Sequence, residues 1–176
     1  MQNMSAASAR ELVQQLEQAA PQIWIDGGWD VDALLGRQTR EHGDLDIAIE
    51  RRHAEPARAV LMSLGFGDID RDDTSAWNFV LGHPDGREVD FHVIDIDEHG
   101  DGIYGPPENN DVYPANTLSG TGVLDGHPVR CLSPRGLIAF RVDYPHPPRD
   151  RDLQDVRAVC SHFGIPVPGK YRTPLT

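Results

Sequence analysis

The stretch Ile23 to Ile47, IWIDGGWDVDALLGRQTREHGDLDI, sets a diglycine just after a three-residue apolar run and an Asp-Leu-Asp pair at the start of the next apolar run. Gly27 and Gly28 remove side chains where backbone amides would have to approach a phosphate, and a helix following them offers its positive end. Asp44 and Asp46 alternate with Leu45 and Ile47, so on a strand both carboxylates project to one face. Hard divalent cations take carboxylate and phosphate oxygens. A glycine turn beside paired carboxylates is therefore suited to Mg²⁺ and a nucleoside triphosphate.

A third acid extends the pattern. In Glu88-Val-Asp-Phe-His-Val-Ile94, residues 89, 91 and 93 are apolar and alternate with Asp90, His92 and Ile94, so Asp90 is presented by a strand as Asp46 is. Asp44, Asp46 and Asp90 together make a candidate set for two Mg²⁺ ions roughly 3.5–4 Å apart, with Asp90 the candidate general base for an acceptor hydroxyl. Arg40 and His42, just before the acids, are expected to reach the same phosphates. His92 shares a face with Asp90, and His92 and Asp95 are expected to touch the acceptor. Taken singly, a Gly-Gly or an Asp-x-Asp is ordinary; the combination carries the reading.

The flanking segments give an α+β order. Leu12, Val13 and Leu16 predict a helix over 8–20, with Ser8 as N-cap, Glu11 completing a capping box and Pro21 ending it. Ile23 to Ile25 read as a strand. Val31, Leu34 and Leu35 mark a short helix stopped by Gly36, on which Asp30 and Asp32 are expected to cap or face solvent. A helix from about His53 to Leu64 follows, then a hairpin of 77–81 and 89–94 around Asp85-Gly86. Residues 97 to 122, rich in Gly, Pro, Asn and Asp, read as a long loop. A second hairpin turns at Asp125-Gly126. Ser133-Pro134 opens a helix to about Asp143, and Asp150 to Phe163 form the last one, ended by Gly164.

Composition bounds the rest. The 176 residues carry 16 basic and 28 acidic side chains, a formal charge of −12, which disfavours nucleic acid and favours small cationic partners. The acids from Asp95 to Asp111 could focus such a partner. No apolar run reaches the roughly 18 residues of a membrane span and the N-terminus lacks a signal-peptide layout, so no membrane partner and a cytoplasmic location are expected. Cys131 and Cys160 have neither disulfide-framework nor zinc spacing and read as buried thiols. Trp29 reads as core.

The run from Trp24 through Gly27-Gly28-Trp29 to Asp44-Leu-Asp46 resembles the opening of the small antibiotic nucleotidyltransferases, the aminoglycoside 2''-adenylyltransferases and short lincosamide nucleotidyltransferases of the polymerase β-like superfamily. Weaker points of likeness are Val89-Asp-Phe-His92, the segment Gly126-His-Pro-Val-Arg-Cys131 before a helix, and Asp155-Val-Arg-Ala-Val-Cys160. The resemblance implies a polymerase β-like nucleotidyltransferase fold, a mixed twisted sheet with flanking helices, as a catalytic domain over 1–132 and a small helical subdomain over 133–176. It assigns the Mg²⁺ ions to Asp44, Asp46 and Asp90, and implies transfer of a nucleoside monophosphate, AMP from ATP, to a hydroxyl of an aminoglycoside- or lincosamide-like acceptor with release of pyrophosphate. Asp90-Phe-His92 and the length of the following loop are closer to the lincosamide branch, whereas Arg141-Val-Asp-Tyr144 stands where that branch tends to carry His-x-Gly-Tyr. The competing readings are a metal hydrolase built on His42, Asp44, Asp46 and His92, and a non-catalytic binding module.

Overall fold

The computed structural model describes residues 3–172. Its first helix, α1 (Ala6–Ala19), starts one turn earlier than the sequence pattern suggests, because Ser5 is extended and its hydroxyl accepts the Ser8 N–H at 3.1 Å. β1 (Ile23–Ile25) leads into α2 (Gly27–Leu35), which has Asp26 as N-cap and Gly36 in the left-handed conformation at its end. The diglycine is thus the first turn of the helix itself rather than a turn preceding it. β2 (Asp44–Glu50), α3 (Arg51–Ser63), β3 (Gly67–Ile69), β4 (Asn78–Gly82) and β5 (Glu88–Ile96) follow.

The segment 97–122, expected to be irregular, instead holds a short hairpin. β6 (Gly102–Tyr104) pairs antiparallel with the far end of β5, and β7 (Asp111–Tyr113) pairs with β6. Three-residue strands are too short for alternation to show. Its acids work locally: the Asp97 carboxylate accepts the N–H groups of His99 and Asp101, and the Asp101 carboxylate accepts that of Ala115. β8 (Gly120–Leu124) and β9 (His127–Cys131) form the expected hairpin, with Asp125 and Gly126 both at positive φ. α4 (Pro134–Asp143) opens at Ser133, and α5 (Asp150–Phe163) ends at left-handed Gly164.

The nine strands form one mixed sheet in the order β3-β4-β5-β2-β1-β9-β8, with β6 and β7 extending from β5. β2 runs parallel to β5 and antiparallel to β1, while β1 runs parallel to β9. Leu45, Ile47, Ile49, Val89, Phe91 and Val93 are fully buried, so the odd-numbered faces of the two central strands belong to the core. α1 and α3 pack on each other, and α2 packs on β8, β2 and α5. Trp29 is core, Cys131 and Cys160 are buried free thiols, and among the described residues no helix is long and apolar enough to cross a membrane.

Candidate active site

The register of the central strands sets the site. In the parallel pair β2–β5, Asp44 lies opposite Glu88 and Asp46 opposite Asp90, while the odd residues between them are committed to the core. The Asp26 N–H bonds the Asp46 carbonyl at 2.9 Å, which brings the start of α2 over Asp46. At Gly27, with φ +64°, a Cβ would lie 1.9 Å from Asp46 Oδ2. Only glycine leaves that carboxylate its place.

Asp46, Asp90 and His92 each offer a ligand atom within 4.8 Å of the others. Burial, then the charge of Asp44, with Asp26 and Asp90 adding to it, pushes the Asp46 carboxyl up to about 7. Asp90 is raised too, by burial first, with Asp44 and Asp73 adding and His92 and Arg71 opposing. Its Oδ1 is buried and has no hydrogen-bond partner among the described residues; His92 Nε2 is 3.8 Å away. Crowded carboxylates with a spare buried oxygen fit a hard divalent cation. His92 fits less well as a ligand, because it is engaged as a cation: burial pulls its pKa down, but Asp26, Asp46 and Asp90 outweigh this and raise it to about 9.

Asp26, Tyr113, Tyr104, Arg71 and Arg141 reach this neighbourhood without having been signalled by the sequence. Asp26 Oδ1 accepts the Gly27 N–H at 2.6 Å, and Oδ2 accepts the Tyr113 hydroxyl at 2.9 Å. Since Tyr113 donates to Asp26, its oxygen accepts from His92 Nδ1, 3.0 Å away. Burial works against the Asp26 charge, but these partners, His92 foremost, hold its carboxyl below the usual range. Tyr104 packs edge-on to His92, and Arg141 Nη2 donates to the Gly27 carbonyl at 3.3 Å. The tyrosines come from the β6–β7 hairpin, where the sequence pattern predicts loop. Only the Asp immediately before the diglycine was a findable signal, as an N-cap.

A prediction follows for His92. Its proton resonances should titrate near pH 9, and Asp26→Asn should move that midpoint toward the ordinary value of about 6.5. Because the folded-state value is raised, the stabilising contribution is complete below about pH 6.5 and fades as pH rises through about 9. A midpoint unmoved in Asp26→Asn, read by NMR, would remove Asp26 from this role.

Arg40 and His42 lie against Gly28, where a Cβ would fall 2.6 Å from Arg40 Nη2 and 2.4 Å from His42 Nδ1, and both are engaged by protein side chains. His42 is buried: its Nδ1 accepts from Arg40 Nη1 at 3.0 Å, which leaves Nε2 to donate to Asp32 at 2.6 Å. The Arg40 guanidinium also grips Asp155 of α5, which is 3 % exposed. Both side chains therefore brace the approach to β2, and His42 is not part of the acidic cluster, which removes the four-residue set of the hydrolase reading. Asp32, at 2 % exposure, and Asp30, at 0 %, are buried rather than solvated. Burial, with the charge of Asp26, pushes the Asp30 carboxyl well above its usual range. Asp95 is also displaced from the site. As an odd residue of β5 it points away from His92, and it is exposed and bonded to Arg51. Breaking the brace with Asp155→Ala should cost about 2–3 kcal/mol, seen as a lowered melting temperature, because Arg40 would keep a half-buried charge without its carboxylate; an unchanged melt would show the brace to be idle.

The chain is 28% identical over 138 residues to a lincosamide resistance protein of Staphylococcus haemolyticus, covering 77% of this chain and 84% of that one. It is 27% identical over 151 residues to a 2''-aminoglycoside nucleotidyltransferase of Escherichia coli, covering 81% and 78%. The fold superposes on the lincomycin-bound lincosamide antibiotic adenylyltransferase LnuA with a TM-score of 0.75 at 24% identity, covering 91% of this chain and 99% of that one. The α+β architecture is thus the nucleotidyltransferase fold. The family model for aminoglycoside-2''-adenylyltransferase matches residues 9–159, and the chain belongs to that family of antibiotic-modifying nucleotidyltransferases.

Proposed function

We propose that the protein moves a nucleoside monophosphate, AMP from ATP, onto a hydroxyl of a small cationic acceptor of the aminoglycoside or lincosamide kind, releasing pyrophosphate, in the cytoplasm. The observation that carries this reading is the facing of Asp46 and Asp90 across a parallel strand pair directly beneath the glycine start of α2. That arrangement puts an acidic metal site and a helix N-terminus, two features that together suit a triphosphate, in one place.

Asp44, Asp46 and Asp90 would hold Mg²⁺, whose contribution when bound is to neutralise phosphate charge and favour the attacking alkoxide. The chain's own residues do the rest. Asp90, whose carboxyl is raised by burial, would take the acceptor's proton. Gly27 leaves room for the Asp46 carboxylate and Gly28 for His42 and Arg40, and His92, cationic and fixed through Tyr113 and Asp26, balances the charge of the acids. Tyr104 of β6, edge-on to His92, and Asn78 of β4, paired with His92, offer an aromatic and polar wall on that side of the site, with the Tyr104 hydroxyl donating to Asn78 at 3.0 Å. α4 and α5 would close the donor side through Arg141, whose Nη2 donates to the Gly27 carbonyl.

The test is pyrophosphate release with Mg²⁺ and each of the four ribonucleoside triphosphates against aminoglycosides and lincosamides. Turnover with ATP and one drug class is the expected result. Binding of nucleotide without turnover on either class would redirect the search to another hydroxyl compound, and release that is indifferent to acceptor would mark a hydrolase.

A further inference from the structure

Arg71 lies in the exposed connection between β3 and β4, among Asp70, Asp72 and Asp73, and its side chain reaches the acidic site. Nη2 donates to Glu88 Oε2 at 2.5 Å, while Nη1 stands 3.5 Å from Asp90 Oδ2. The first is a tight charged hydrogen bond and the second only a loose ion pair. Glu88 and Asp90 sit two residues apart on one face of β5, so one guanidinium spans both. The root of the side chain is fixed: the Arg71 N–H bonds Thr74 Oγ1 at 2.9 Å and the Thr74 N–H bonds the Arg71 carbonyl at 3.0 Å. The side chain is 37% exposed, so water reaches the looser contact with Asp90.

Resting on the reading of Asp46 and Asp90 as metal ligands, we propose that Arg71 is a displaceable cation: anchored on Glu88, it gives Asp90 only a loose ion pair that an arriving divalent ion breaks, and so sets the affinity of the site for metal. The charges facing Asp90 are His92 on its own strand, Arg71 across from it, Asp46 on the paired strand, and Asp44 and Asp73. Of the two cations, His92 is tied into the site through Tyr113 and Asp26, whereas Arg71 is anchored on a carboxylate outside the ligand set. A cation that must be displaced weakens metal binding in the resting protein, and one held nearby afterwards offers positive charge to the phosphates at the same rim.

The probe is Mn²⁺ alone, without nucleotide, with binding followed by EPR of the free ion on the intact protein. Arg71→Gln should bind Mn²⁺ roughly twofold to fivefold more tightly at low salt, as expected for an exposed ion pair, and the gain should shrink toward about 0.5 M salt. Glu88→Gln should bind it more weakly, because Arg71 then rests wholly on Asp90, and this penalty should diminish in the Arg71→Gln background. Unchanged or weaker binding in Arg71→Gln overturns the displacement, and a Glu88 penalty that persists undiminished in the double variant overturns the anchoring. Asp46→Asn separates the two levels of the argument. If wild-type Mn²⁺ binding is insensitive to it, the metal site itself fails; if binding is lost in Asp46→Asn yet indifferent to Arg71, the site stands and this inference falls.

Discussion

Asp46→Asn should abolish nucleotidyl transfer, by at least about 10³-fold, while making the metal-free protein more stable above neutral pH. The two effects share one cause. Burial and the neighbouring acids raise the Asp46 carboxyl from 3.8 to about 7, so between those pH values the folded protein holds a proton that the unfolded chain has released. Stability from this group is therefore present at acid pH and falls as pH rises to about 7, above which the full penalty applies. A shift of that size corresponds to about 4 kcal/mol, and about 2 kcal/mol is the working figure once solvent reaching the half-buried carboxylate is allowed for. For a chain of this length that is a rise of roughly 4–8 °C in melting temperature at pH 8. At pH 4, close to the unfolded value of 3.8, the difference should shrink to about 0.5 kcal/mol. Mg²⁺ should stabilise the wild type and leave Asp46→Asn unmoved. Melts at the two pH values with and without Mg²⁺ test this; a variant that is both inactive and destabilised at pH 8 would mean Asp46 serves the fold, not the metal.

Gly27→Ala should strongly impair transfer. It places carbon 1.9 Å from Asp46 Oδ2 and 2.6 Å from its Cγ, and asks an L-residue to hold φ +64°. Something must move: either the carboxylate leaves its position opposite Asp90 or the first turn of α2 lifts away. Either displacement should cost about 10²-fold or more in transfer, since positioning errors of an ångström are of that order. Gly36→Ala is the matched control. Gly36 has a similar φ of +68°, but a Cβ there meets nothing within 4 Å, so only the backbone cost of about 1 kcal/mol is expected and activity is retained. Equal loss of activity in both variants would show that backbone strain, rather than the contact with Asp46, is what matters.

The sequence was most informative where period and position coincide. Alternation placed Leu45, Ile47 and Ile49 against Asp44 and Asp46, and Phe91 against Asp90 and His92, and the sheet keeps these faces. Ser133-Pro134 and Gly164 marked helix ends that the structure retains, because caps are decided by one or two residues. The same alternation, carried one residue further, would have turned Asp95 away from His92. Arg40 and His42 illustrate what local pattern does not encode: their partners, Asp155 and Asp32, are chosen by tertiary packing, and a buried ion pair reads in sequence like any surface charge. Asp30 and Asp32 reversed expectation for the same reason, since a short helix wedged between sheet and α5 buries polar faces that a surface helix would expose. The β6–β7 hairpin, with Tyr104 and Tyr113, was hidden by strands of three residues.

The brace from Asp32 through His42 and Arg40 to Asp155 has a consequence for the order in which the protein matures. Its last member lies 115 residues beyond Arg40, so during synthesis both central strands and the diglycine helix emerge long before the carboxylate that steadies the run into Asp44. Such distant closure is slow to form, because loop entropy is spent before the contact repays it. The acids of β2 and β5 can pair as soon as β5 is made, yet the approach that aims them is set only when α5 docks. A nascent chain can thus hold its sheet while its chemistry is still unassembled, and competence arrives with the last helix.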